Sequence, residues 1–199
     1  MRRTGVVLAL CVVSMASAGA MFVIQEIRKV PVARLVENME RQLRDRPQDV
    51  GLHLNLARLY AMAYALKVTE YDATGSTPWF GNMPPALPGP TRPAPSREHQ
   101  ERAREDLARA VKKYGEVVQL APDNFVARLG HAWTLEESGD KTAAIAEYRK
   151  TVELAFPLER KESGFFTDPV TVEAARRLQE LLDPVKDARE IDGLREKVT

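Results

Sequence analysis

Apolar residues recur at three- and four-residue spacing through most of the chain, the spacing of helices that bury one stripe. Leu35, Val36, Met39 and Leu43 predict a leading helix within 31–46, with Glu37, Glu40, Arg41 and Arg44 opposite and Pro47 as its stop. Leu52, Leu56, Leu59, Tyr60, Ala63 and Leu66 predict the next helix, capped by Asp49, with a stripe running on to about Glu70. Ser96 is placed to cap a helix reaching about Leu120, with Glu98 and Glu101 near its positive end. Leu107, Ala110, Val111, Tyr114, Val117 and Val118 form its buried side. Residues 125–138 make a further helix, stopped by Gly139, and residues 141–154 its partner, with Ala144, Ile145, Tyr148 and Val152 inward. Past Pro157 the spacing fails, and residues 159–164 read as a polar loop. Asp168 and Pro169 open a helix striped by Val172, Ala175, Leu178, Leu181 and Leu182, which Pro184 ends. A last helix over 187–198 carries Ile191, Leu194 and Val198.

Two of these helices echo each other. Ala110, Tyr114 and Leu120-Ala121-Pro122 are repeated 34 residues later as Ala144, Tyr148 and Leu154-Ala155. A small residue one turn before an aromatic one lets a neighbouring helix approach and then fills the space beside it. A 34-residue period is the signature of stacked helical hairpins. The run from Pro122-Asp123-Asn124 through Gly139-Asp140 to Ala144, Tyr148 and Leu154 resembles a tetratricopeptide repeat, as does Pro47 through Leu56-Ala57 and Tyr60. Arg128 and His131 stand where that family often has Trp and Leu, while Ala132 and Leu135 keep its small-then-large order. The expected fold class is all-α: a short tetratricopeptide-like solenoid with an N-terminal transmembrane or signal segment, a long proline-rich insertion and a C-terminal capping helix pair. Its parts are 1–25, 31–46, 49–156 with the insertion at about 70–97, and 157–199.

The insertion separates the two arms of one hairpin. Ala110 stands 50 positions after Tyr60, where Ala144 stands nine after Leu135. Residues 73–96 hold seven prolines and three glycines, a density that prevents both helix and sheet. Trp79, Phe80 and Met83 are its candidate contact residues, packing on nearby helices or meeting a partner.

At the N-terminus, Arg2-Arg3 precede twenty uncharged residues, 5–24. As a helix these rise about 30 Å, the hydrocarbon thickness of a bilayer. Ala16-Ser17-Ala18 or Ala18-Gly19-Ala20 would serve as a cleavage site, but the apolar run continues through Met21-Phe22-Val23-Ile24. The continuation favours an uncleaved anchor, with a cleaved signal peptide as the alternative. Positive charges on the two sides nearly balance. A short basic tail ahead of an apolar run is the usual export layout, so the bulk of the chain is expected outside the cytoplasm, in a bacterium in the periplasm.

Charge adds little: 29 basic residues stand against 28 acidic, and 25 against 27 once residues 1–30 are set aside. Nothing in this balance calls for a nucleic-acid partner. Cys11 is the only cysteine, so no intrachain disulfide or thiolate metal site is available. His53, His99 and His131 are too scattered for a ligand set, and phosphate-loop, nucleophile-elbow and zinc-protease patterns are lacking. No catalytic residue, cofactor or metal is expected; a small enzyme with its site in the insertion is the minority reading.

The family resemblance implies binding instead, through a concave groove lined by first helices. Carried over residue by residue, the groove would be Leu54, Asn55, Arg58 and Met62, then Val126, Leu129, Trp133 and Glu136, with Trp133 either an exposed anchor or packed against the insertion or the preceding helix. The family's carboxylate-gripping Lys and Asn set is not matched. The implied function is a membrane-tethered adaptor for a protein or peptide partner. Alternatives are a subunit of an envelope assembly such as a cytochrome c maturation complex, which similarly pairs an anchor with such repeats, or a cleaved, soluble exported protein. Oligomeric state, partner and process are left open.

Overall fold

The computed structural model describes residues 29–72, 96–159 and 170–198. The anchor call on 1–25, the insertion residues Trp79, Phe80 and Met83, and the proposed Asp168 cap lie outside them.

Seven helices hold 81% of the described residues, which makes this part of the chain all-α in class. They are α1 (Val32–Asp45), α2 (Val50–Leu66), α3 (Arg97–Leu120), α4 (Phe125–Ser138), α5 (Lys141–Glu159), α6 (Val170–Leu181) and α7 (Ala188–Val198). Each packs on its successor in the chain, and α4 also touches both α2 and α6. Helices α2, α4 and α6 therefore lie side by side, as in stacked hairpins.

Local chemistry sets the boundaries. The Asp49 carboxylate accepts from Leu52 N, and the Asn124 side chain does the same for Ala127 N, both at 3.0 Å. Ser96 Oγ caps α3 by accepting from His99 N at 3.2 Å. Gly139 ends α4 at φ +91°, and Lys67 ends α2 at φ +53°, a left-handed value tolerated there in a lysine. The two hairpins also repeat a side-chain device. His53 Nε2 donates to the Pro47 carbonyl at 2.8 Å, and Arg128 Nε donates to the Pro122 carbonyl at 2.7 Å. These residues hold matching places six positions past the turn proline, although one is a histidine and the other an arginine.

The small-then-aromatic pairs are packed as anticipated. Ala110 and Tyr114 join Leu56, Ala57 and Tyr60 in one cluster with α1. Ala144 and Tyr148 join Leu129, Leu178 and Leu194 in the other. The arms of the interrupted hairpin therefore meet despite the residues between them.

Three expectations change. The stripe assigned to about Glu70 stops at Leu66, and the chain then forms a two-stranded antiparallel ribbon. In it β1 (Lys29–Pro31) pairs with β2 (Glu70–Asp72), Val30 opposite Tyr71. Val32 N donates to Thr69 O at 2.9 Å, and Tyr71 Oη donates to Leu59 O at 3.1 Å, which ties the ribbon to α1 and α2. Second, α5 runs through Pro157 to Glu159. In the last turn a missing N–H forfeits a single bond, so proline does not stop the helix. Third, Glu159 is not part of a polar loop: its carboxylate accepts from Val170 N at 2.6 Å and Thr171 N at 2.8 Å, capping α6.

Candidate binding surfaces

The predicted groove divides into a core half and an open half. On α4, Trp133 is 4% exposed and Leu129 1% exposed. Trp133 lies in the first cluster, its ring 5.9 Å from that of Tyr64 at 57°, so it is a core residue and not an exposed anchor. The reason is the close stacking of α4 on α2, which covers the indole. Glu136 is committed elsewhere: it accepts from Tyr148 Oη at 2.6 Å and pairs with Arg177 at 3.3 Å, and Arg177 also pairs with Glu173 at 3.2 Å. That network binds α6 to the α4–α5 hairpin, so Glu136 is not offered to a partner. Val126 remains half-buried.

On α2, Asn55 is exposed, and Leu54, Arg58 and Met62 form a half-buried row one turn apart. Leu54 and Met62 pack on the first cluster. Arg58 Nε is buried with no hydrogen-bond partner among the described residues, as is the hydroxyl of Tyr114 from α3. Arg58 is near enough to ease ionisation of the Tyr114 phenol, whose burial is the larger effect and drives it the other way. A buried guanidinium nitrogen without an acceptor costs on the order of 1–3 kcal/mol.

A second place was not anticipated. A cleft of about 540 Å³ opens where α1, the ribbon, α2 and α3 meet. Asp106, 5% exposed, lines it with Arg109 at 3.4 Å. Arg109 also pairs with Glu105 at 3.3 Å and lies 5.8 Å from the Tyr60 ring centre. Burial pushes the Asp106 carboxyl above its ordinary value, and Arg109 and Arg102 only partly reverse this. Burial, then the nearby Glu40 carboxylate, raises the Tyr60 phenol. The signal was readable: Asp106 occupies a place on the stripe of Ala103, Leu107 and Ala110, an acid where the spacing calls for an apolar residue.

Comparison of the chain with family models, with curated proteins and with solved structures finds no match. Function is therefore argued from these surfaces. Among the described residues no group of three or more acidic, histidine or cysteine side chains could hold a metal ion, and no helix is long and apolar enough to cross a membrane.

The Asp106 shift has a testable sign. Its folded value lies above 3.8, so the folded state holds the proton more tightly than the unfolded chain. The associated stabilisation is complete below that pH and lost as pH rises through the folded value. Urea unfolding of Asp106→Asn and the parent from pH 3.5 to 6 should show the variant gaining relative stability with rising pH. A relative gain by the parent would mean that its ion pair with Arg109 outweighs burial.

Proposed function

We propose that the protein is a tetratricopeptide-type adaptor, tethered to a membrane through residues 1–25, with the bulk of the chain outside the cytoplasm. It binds an acidic segment of a partner protein along α2. The 34-residue echo and the side-by-side placing of α2, α4 and α6 support the repeat reading. The observation that carries the binding reading is Arg58, a half-buried cation with no ion pair among the described residues, on the same helix as exposed Asn55.

A photo-crosslinking residue at Asn55 in intact cells tests it. A discrete adduct is expected, reduced at least tenfold when Arg58→Glu is added, and not formed from Arg44, the control position on α1. Because Arg58 makes no ion pair within the described residues and its truncation removes an unpaired buried nitrogen, Arg58→Ala should cost no more than about 1 kcal/mol of folding stability. An adduct indifferent to Arg58→Glu removes the acidic-segment reading.

A further inference from the structure

We propose that the cleft between α1, the ribbon and α3 binds a chain-like cation carrying two or more amines separated by methylenes. This site is separate from the Arg58 surface, and the two stand or fall independently.

The charges lining the cleft are mainly acidic: Glu37, Glu40, Glu70 and Asp106 against Arg102 and Arg109. Glu37 is held by Arg41 at 3.4 Å, and Arg109 is held by Asp106 and Glu105. Glu40 and Glu70 make no ion pair among the described residues, and Arg102 is exposed. An acidic rim alone would mean only a solvated surface. The second observation is Tyr60: its side chain is 6% exposed and lines the cleft, yet its hydroxyl has no hydrogen-bond partner among the described residues. Its ring already faces one cation, Arg109. Such a phenol oxygen can accept a hydrogen bond from an ammonium.

The shape excludes a compact ion. The carboxylates do not converge closely enough, among the described residues, to share one metal ion. Amines strung on methylenes reach separated acids, and the stem finds apolar cover on Val32, Val36 and Val68. A free polyamine and a lysine-bearing segment of another protein share this chemistry.

Calorimetric titration of the full-length chain in detergent separates these sources. One arm uses spermidine, one uses the peptide acetyl-Lys-Ala-Ala-Lys-amide, and one uses magnesium chloride at matched ionic strength. Saturable one-site binding is expected in at least one organic arm. Spermidine alone would identify a free polyamine, and the peptide alone a partner's lysines. The Glu40→Gln/Glu70→Gln variant should bind at least tenfold more weakly with an unchanged thermal melt, since both residues are exposed and lie outside the core. No saturable binding in either organic arm, equal displacement by magnesium, or undiminished binding by the double variant would overturn the assignment.

Discussion

Replacing Trp133 with alanine is expected to remove about 3–5 kcal/mol of folding stability. The indole is 4% exposed and belongs to the cluster that joins α4 to α1, α2 and α3. Its loss opens a cavity at the junction of the two hairpins and dissolves the ring pair with Tyr64, itself worth about 0.5–1.5 kcal/mol. For a chain of this size the thermal midpoint should fall by roughly 6–20 °C. Calorimetry or urea unfolding measures this directly. The same variant distinguishes core from contact surface: below its new midpoint it should still yield the adduct from Asn55. A stability loss under about 1 kcal/mol with the adduct abolished would return Trp133 to the surface as an anchor.

Gly130→Val is expected to cost about 3 kcal/mol, the upper end for overpacking, and Gly130→Ala about 1–3. A β-carbon at Gly130 would overlap the Tyr114 ring and lie 2.8 Å from its hydroxyl oxygen. Tyr114 is 1% exposed and cannot swing aside into solvent. Alanine gains roughly 1 kcal/mol of intrinsic helix preference over glycine, so any net loss understates the clash. Combining Gly130→Ala with Tyr114→Leu should recover stability, giving a favourable coupling of at least about 1 kcal/mol in a double-mutant cycle. Additive losses would show that the two helices do not meet through this pair.

Much of the helical layout was legible because the stripes are long and their ends carry strong local chemistry. Asp49, Ser96 and Gly139 all perform the capping their residue types suggest. The ribbon was not legible: three residues per strand are too few to show alternation, and the pairing joins positions about forty residues apart. The last turn of α5 was not legible because its stripe ends before Pro157, and the effect of a proline depends on how much helix remains beyond it. The candidate surface was half legible. Helical register places Leu54, Asn55, Arg58 and Met62 on α2 without ambiguity, but whether Trp133 is free or covered depends on how closely α4 approaches. Trp133 meets Tyr64 of α2, while Gly130, on the same helix as Trp133, meets Tyr114 of α3, so the burial of Trp133 depends on two neighbours at once. The cleft was missed because it needs α1, the ribbon and α3 together, and only the misplaced acid Asp106 advertises it in one dimension.

The short ribbon also decides where the outlying parts of the chain depart. Lys29 is opposite Asp72, the last ribbon residue on each side. Paired antiparallel residues sit about 5 Å apart at Cα. Two described ends of the chain, Lys29 and Asp72, thus sit side by side on the ribbon. Anything that holds the backbone at Asp72 therefore also holds it at Lys29, so one end of the ribbon cannot move without the other.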